Sequence, residues 1–261
     1  HRDLHSFPTR RSSDLTYTVS NLLFSGHDTY IDWLFANVGN GPAESFNVQI
    51  WVDDSVLFNQ AFSGLDAGWM YVLEDWAAAI SSPGWHTLRM IIDPDNVVDE
   101  LDENNNVFEH EFYFTAYAPY ENSFEEQVIE WEADGLWNLT EYNQGGGNFN
   151  WWFGDVQSGG YDLGVVAGNL TTPPIYIPAS GYYLRFNYLY ETETRGPDFD
   201  QRWIQISVDD GEFVNLYQLY DDQMNVWRPG PTIDLSPYAN HTVRVRFRFD
   251  SLDSINNAYL G

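Results

Sequence analysis

The stretch HTVRVRFRFD, His241–Asp250, decides the fold class of this chain because apolar and polar residues alternate in it without a break. Successive side chains of a β-strand point to opposite faces, whereas a helix needs apolar residues three or four positions apart. The stretch therefore predicts a strand with one face in a core. The core-facing set is Val243, Val245, Phe247 and Phe249, and the outward set is Arg244, Arg246 and Arg248.

The rest of the chain repeats this pattern in short runs separated by turn residues. FNVQIWVDD, Phe46–Asp54, is one of seven such runs between Thr16 and Thr115. In the second half, Trp203–Tyr217 reads as a hairpin whose turn is predicted at Asp210-Gly211. Seven strands in about 100 residues suit an immunoglobulin-like sandwich, and the longer, aromatic-rich second half suits a jelly roll. The sequence thus predicts an all-β chain.

Composition excludes several functional classes. The 39 acidic residues against 11 arginines, with no lysine, give a formal net charge of −28. A field of this sign repels nucleic acid and anionic lipid. Cysteine is absent, so disulfides and thiolate chemistry are excluded. No apolar run is long enough to insert into a membrane, and a soluble, monomeric fragment is expected.

Two segments of the first half carry a family resemblance. They are NVGNGPAESFNVQIWVDDSVLF, residues 37–58, and GWHTLRMIIDPDNVVDELDENNN, residues 84–106. Together with the intervening turns, they resemble the CARDB family, the cell-adhesion-related domains of bacteria and archaea, over Asp28–Phe114. The resemblance implies an extracellular sandwich, often repeated in tandem in surface or secreted proteins. It implies no catalysis.

The second half resembles another kind of module. WWFGDVQSGGYDLG, residues 151–164, and NLTTPPIYIP, residues 169–178, follow the strand order of MAM-like jelly rolls, and the likeness extends over Ser123–Gly261. Such modules accompany secreted bacterial peptidases of the immune inhibitor A and subtilisin-like kinds. Family members continue past the position of Gly261, so this jelly roll is expected to lack its closing C-terminal strand.

The first fifteen residues resemble something other than a protein family. HRDLHSFPTRRSSDL matches the translation of a common sequencing-library adapter, so residues 1–15 are interpreted as an adapter-derived artefact and set aside from the fold. The predicted organisation is then a CARDB-like sandwich at 16–116, a linker at 117–120 and a truncated MAM-like jelly roll at 121–261. A chain cut at both ends reads as a metagenomic fragment, in which a signal peptide cannot be seen.

Acidic loops provide the candidate metal ligands. In the loop before the last strand of the first domain, Asp93, Asp95 and Asp99 offer hard oxygen ligands for calcium, although turn formation by Asx side chains is the commoner use of such residues. In the second domain, structural calcium would use acids near its entry and exit. These candidates are Glu125, Glu126, Asp250 and Asp253.

Two further sets are candidate ligand-binding residues. The row Arg244, Arg246 and Arg248 could hold an anionic ligand such as an acidic glycan, or else pair with acids on neighbouring strands. Trp151 and Trp152 are adjacent on a predicted strand, so one is expected to face outward and to be available for stacking on a sugar.

Catalytic motifs are not found in the sequence: HEFYF, at 110–114, has Phe114 where a zinc-protease helix needs its second histidine. The primary hypothesis is a non-catalytic extracellular adhesion, binding or spacer region of a larger secreted or surface-anchored prokaryotic protein. One alternative is a set of substrate-positioning domains of a secreted peptidase or other hydrolase whose catalytic domain lies upstream. Another is a glycan-binding module. The expected partners are a cell-surface protein or a glycan.

Overall fold

The computed structural model describes residues 4–7, 22–100, 102–125, 130–141, 147–255 and 257–261. The chain divides into two compact units, 1–114 and 115–261. Apart from one 3-10 turn at Ser236–Tyr238, all regular elements in the described residues are β-strands, which confirms the all-β prediction. No helix among the described residues is long and apolar enough to cross a membrane.

Unit 1 is built from two antiparallel sheets. Its strands are β1 (Leu4–Phe7), β2 (Leu23–Phe24), β3 (Asp28–Asn37), β4 (Phe46–Val52), β5 (Ser55–Phe62), β6 (Met70–Ala79), β7 (Gly84–Ile92) and β8 (Val107–Tyr117), of which β8 runs past the boundary into unit 2. One sheet has the order β1-β3-β6 and the other contains β5-β4-β7-β8, with β2 beside β8. The main core draws buried side chains from both sheets, as an immunoglobulin-like sandwich requires.

Strand β4 shows how the sequence pattern produces this core. Its residues alternate between buried and half-buried along the whole strand, with Phe46, Val48 and Ile50 in the core cluster. Trp33 and Phe35 of β3 contribute from the opposite sheet, and their rings lie 6.0 Å apart. Alternation in the sequence therefore became an inward and an outward face.

The segment interpreted as adapter-derived holds one strand. Residues Leu4–Phe7 form β1 and pair antiparallel with Leu34–Asn37 of β3. This strand was not predicted, because residues 1–15 had been set aside from the fold. The remainder of that segment, and most of the first predicted strand run, lie outside the described residues.

Unit 2 has one larger sheet and several short strand pairs. Its strands are β9 (Glu132–Ala133), β10 (Trp137–Thr140), β11 (Asn150–Phe153), β12 (Ala167–Thr171), β13 (Ile175–Ile177), β14 (Tyr183–Leu184), β15 (Asn187–Tyr188), β16 (Gln201–Val208), β17 (Val214–Leu219), β18 (Arg228–Pro229), β19 (Ile233–Asp234) and β20 (His241–Asp250). Strand β20 is central, with β16 on one side and β12 and β13 on the other. The small sheets are β10-β11, β14-β19 and β15-β18.

The two strand predictions for unit 2 have different outcomes in detail. Val243, Val245 and Phe249 of β20 are buried, as the alternation predicted, whereas Phe247, the fourth predicted core residue, is half-buried. The hairpin β16-β17 forms as well, but its turn lies one residue earlier than predicted. Asp209 and Asp210 have positive φ values of 47° and 59°, and the Gly211 N–H donates to the Val208 carbonyl at 2.9 Å. Aspartate tolerates the left-handed region well enough to take both central positions.

The predicted linker packs into unit 2. Tyr117 belongs to β8 and pairs in parallel with Tyr176 of β13, and Ala118 donates its N–H to the Tyr176 carbonyl at 3.0 Å. Ala118 is buried in a cluster with Ile177 and Val243. The contact boundary at 114/115 therefore precedes the predicted one by two residues.

Candidate functional site

The acidic loop of unit 1 is organised by one buried aspartate. Asp93 is 4% exposed, and its two carboxylate oxygens accept the backbone N–H groups of Val97 at 3.1 Å and Val98 at 2.7 Å. Asp95 accepts from the Asn47 side chain at 2.7 Å, and Asp99 is exposed. The Asp93 contacts are local hydrogen bonds that shape the loop, and the Asp95 contact joins the loop to β4. The described residues contain no group of three or more His, Cys, Asp or Glu placed to hold a metal ion.

The acidic residues predicted as metal ligands near the entry and exit of unit 2 make hydrogen bonds or ion pairs with other residues of that unit. Glu125 accepts the backbone N–H groups of Asn148 at 2.6 Å and Phe149 at 3.1 Å, which lower the pKa of its carboxyl. Asp250 pairs with Arg248 at 2.6 Å, and Asp253 accepts the Ile255 N–H at 2.9 Å. Glu126 lies outside the described residues.

The arginine row is held by neighbouring strands. Arg244 pairs with Glu132 of β9 at 2.6 Å, and Arg248 pairs with Asp250. The guanidinium of Arg246 stacks 3.5 Å from the centre of the Phe213 ring, and burial lowers its pKa. All three also donate to β12 or to Thr172, which follows it. The row therefore serves the sheet itself, which was the alternative to anion binding.

Trp151 and Trp152 are both half-buried in β11, so neither presents a fully outward ring. The Trp152 indole N–H donates to the Leu260 carbonyl at 2.7 Å, and a Cβ on Gly154 would lie 2.1 Å from the Trp152 ring. This packing ties β11 to the end of the described chain.

Much more exposed aromatic side chains occur in unit 1. Trp85 is 68% exposed, and its ring meets that of Tyr113 edge-on at 5.4 Å. Trp69 is 66% exposed and lines an open cavity of about 390 Å³. The other lining residues are Ala43, Ser63, Gly64, Leu65 and Asp66. Trp85 lies on the outward face of β7, and Trp69 follows the turn at 67–68.

The fold also brings together an Asp–His–Ser set that the sequence analysis did not identify. His86 Nδ1 lies 2.8 Å from Asp53 Oδ2, while Nε2 lies 3.0 Å from the Ser82 carbonyl oxygen and 3.5 Å from its hydroxyl. Nε2 therefore makes its shorter contact with a carbonyl oxygen, while Nδ1 faces the carboxylate. A catalytic histidine must instead take a proton from the nucleophile through this nitrogen. The set therefore joins the segments of Asp53 and Ser82 to β7, and the Ser82 hydroxyl lies farther from Nε2 than in an ordinary hydrogen bond.

Unit 2 contains a buried polar cluster around Asp200 and Arg202. The Tyr161 hydroxyl donates to Asp200 Oδ2 at 2.6 Å, and the Glu193 N–H donates to the same oxygen at 2.9 Å. Arg202 donates to the Asp200 carbonyl at 2.5 Å, and its guanidinium lies 4.1 Å from the Tyr190 ring centre. Burial raises the pKa of both Asp200 and Tyr161 and lowers that of Arg202.

This cluster could not have been identified among 39 acids in the sequence. The signal in the sequence was the position of Arg202 in the alternating pattern of β16. Arg202 lies on the same buried face of that strand as Ile204 and Ile206. A charged residue at a core-facing position is expected to need partners.

Comparison with known proteins confirms the resemblance of the first unit. Residues 12–110 match the CARDB family model. The match covers less than half of the chain. No curated protein matches the chain.

Solved structures with some likeness include both single domains and larger proteins. The CARDB domain of a Pyrococcus furiosus protein, solved with di-metal ions, is 18% identical, with 44% of this chain and 89% of that chain covered and a TM-score of 0.37. A putative cell surface protein from Methanosarcina acetivorans is 24% identical, with 36% and 82% covered and a TM-score of 0.32. The secreted serine protease VesC of Vibrio cholerae is 17% identical, with 90% and 45% covered and a TM-score of 0.28. Likenesses at this level carry no conclusion about ligands or activity.

Proposed function

We propose that the two units form a non-catalytic extracellular binding or spacer region of a larger secreted or surface-anchored prokaryotic protein. The observation that carries this proposal is the CARDB match over residues 12–110. The geometry agrees with it, because the Asp53–His86–Ser82 set turns its histidine to a carbonyl. Adhesion is the specific role that the resemblance implies.

A cell-surface protein or a glycan is the proposed partner class, and the net charge of −28 weighs against nucleic acid. We also propose that unit 2 is a MAM-like jelly roll, and that residues 1–15 derive from an adapter. The nucleotide sequence across the first codons tests the latter.

The second candidate is an accessory role in a secreted peptidase or other hydrolase. It is supported by the resemblance of 123–261 to modules that accompany such enzymes. The gene upstream discriminates the two: a protease domain there favours the accessory role, whereas further sandwich repeats or an anchor favour adhesion. Hydrolysis of protein substrates by the purified chain would contradict both.

The third candidate, glycan binding, is best supported by Trp69. An exposed indole beside Asp66 in an open cavity offers a stacking face and a hydrogen-bond acceptor for sugar hydroxyls. If this surface binds a glycan, Trp69→Ala reduces the affinity measured on a glycan array by at least ~10-fold, because a central aromatic anchor usually contributes that much.

Trp85→Ala is the matched control for that experiment, because Trp85 is equally exposed but does not line the cavity. Equal loss in both variants would indicate non-specific adhesion of aromatic side chains. If the parent chain binds none of the glycans on the array, the glycan-binding hypothesis is wrong.

A further inference from the structure

Unit 2 contains tripeptides of the form Asn-x-Thr, the acceptor sequence for N-linked glycans when the middle residue is not proline. They are Asn138-Leu139-Thr140, Asn169-Leu170-Thr171 and Asn240-His241-Thr242. Glycan attachment replaces one hydrogen of the asparagine side-chain amide with a bulky, hydrated sugar. The amide must therefore be exposed, and neither of its hydrogens can be needed by the fold. The sequence does not distinguish the three asparagines, whereas the structure does.

Asn138 uses both of its amide hydrogens within the fold. It is half-buried in β10, and its Nδ2 donates to the Leu136 carbonyl at 2.7 Å and to the Gly154 carbonyl at 2.8 Å. An amide nitrogen has two hydrogens to donate. A sugar on this nitrogen would leave one of the two carbonyls without its donor, so Asn138 is not a suitable acceptor in the folded unit.

Asn169 is also held by its neighbours. It is half-buried in β12, and its Nδ2 donates to the two carboxylate oxygens of Asp134 at 3.0 and 3.2 Å. Its Oδ1 accepts from Arg248 at 3.3 Å. The threonine of this tripeptide, Thr171, is 3% exposed, and its hydroxyl accepts from Arg246 at 3.2 Å. Both ends of the tripeptide are therefore committed to the sheet.

Asn240 differs from the other two in exposure and in bonding. It is exposed in the turn that precedes β20, with a φ of 65°, which asparagine tolerates. Its main-chain N–H donates to the Ile177 carbonyl at 2.6 Å, so the backbone of the turn is fixed. Within the part of the chain that the structure describes, no hydrogen bond holds its side-chain amide or the hydroxyl of Thr242.

We propose that Asn240 is the attachment site of an N-linked glycan, an inference that rests on the proposed extracellular location. The donor is an oligosaccharide linked to a lipid phosphate. A bond forms between Asn240 Nδ2 and the anomeric carbon of the first sugar, and the bond from that carbon to the phosphate oxygen breaks. One amide proton is transferred to the leaving lipid phosphate, and no oxidant or reductant is needed.

The surroundings of Asn240 have room for such a group without loss of core contacts. The site lies beside the β16-β17 turn, because Asp209 of that turn contacts His241 Nδ1 at 2.5 Å and accepts the Thr242 N–H at 3.0 Å. His241 is half-exposed, and both contacts of Asp209 are made by atoms other than the Asn240 amide. A sugar on Asn240 therefore displaces none of the bonds that fix the start of β20.

Expression of the full chain with an added export signal tests the proposal. Tyr238 lies two residues before Asn240, so the host must have a transferase that accepts Asn-x-Thr without an acidic residue at that position. We expect an intact mass that falls by one oligosaccharide after treatment with peptide-N-glycosidase. The enzyme converts the modified asparagine to aspartate, which peptide mass spectrometry then locates at position 240.

A second exported protein with a known glycan, made in the same cells, confirms that the transferase is active. An unmodified Asn240 in those cells overturns the proposal, and so does a glycan on Asn138 or Asn169 of the folded chain. Because the added signal provides the export, either result removes the site and leaves the proposed extracellular role to its own test.

Variants then show that the tripeptide is responsible. Asn240→Gln and Thr242→Ala should each lose the glycan completely, while Thr242→Ser should retain it because the hydroxyl is kept. The matched control is Asn225→Gln: Asn225 is also exposed in a turn, with a φ of 57° and its N–H bound to the Tyr190 carbonyl at 3.0 Å, but Trp227 follows two residues later. If Asn240→Gln does not fold, Thr242→Ala gives the same test. A glycan that persists in Thr242→Ala, or is lost in Asn225→Gln, overturns the proposal.

Discussion

Asp93 in unit 1 and Asp200 in unit 2 are almost equally buried, yet they are used in opposite ways. Both have positive φ, 49° in each case. Both oxygens of Asp93 receive backbone N–H groups of its own loop, whereas Asp200 has two donors on one oxygen and none on the other. Burial alone therefore does not show how an aspartate is used, because two equally buried carboxylates receive different sets of hydrogen bonds.

The largest effect is expected at Asp93. Asp93→Ala leaves the Val97 and Val98 N–H groups without their acceptor, and we expect it to reduce the free energy of unfolding of unit 1 by about 3 kcal/mol. Urea unfolding of the full chain, together with loss of exchange protection at these two amides, measures the change. Asp99→Asn is the exposed control. A near-neutral Asp93→Ala would mean that the loop does not depend on its buried aspartate.

Asp200 should behave differently from Asp93. Burial raises the pKa of Asp200 above its ordinary value of 3.8, so its stabilising contribution is fully present below pH 3.8 and is lost as pH rises through the folded-state pKa. Asp200→Asn should therefore gain stability relative to the parent chain as pH rises from 3.8 toward neutrality. Unfolding free energies of the two chains across pH measure this difference. A variant less stable than the parent at every pH would make Asp200 equivalent to Asp93.

The smallest effect is expected at Asp53, which is exposed and whose two carboxylate oxygens contact His86 and the Thr87 N–H. Burial acts to raise its pKa, but hydrogen bonds from His86 and the Thr87 backbone outweigh it, and the pKa is lowered from 3.8. Its contribution is therefore present above pH 3.8 and is lost as pH falls through the lowered pKa. Asp53→Asn should cost less than about 1 kcal/mol at neutral pH, because the carboxylate is well solvated.

The difference in unfolding free energy between the parent chain and Asp53→Asn, followed across acidic pH, measures this contribution. Asp54→Asn is the neighbouring exposed control. A difference that grows toward low pH would have the wrong sign for a lowered pKa.

The local alternation of apolar and polar residues predicted much of the fold. The alternation in β4 and β20 predicted their buried faces, because the side-chain period of a strand is set by its backbone. The β16-β17 hairpin was predicted within one residue of its turn, since aspartate and glycine both reach positive φ and only the register distinguishes them. The strand at Leu4–Phe7 and the packed state of Ala118 were not predicted. Both depend on pairing with distant strands.

What the sequence by itself determined was an acidic, cysteine-free, all-β chain whose residues 12–110 match the CARDB family model. Only the tertiary structure decided which of its many acids matter. Turn chemistry within five residues satisfies Asp93, and a local motif can report that. The contacts of Asp200 instead come from Tyr161, 39 residues away, and from the segment after β20. Whether a buried oxygen is satisfied depends on atoms that only folding brings together, and no local pattern records it.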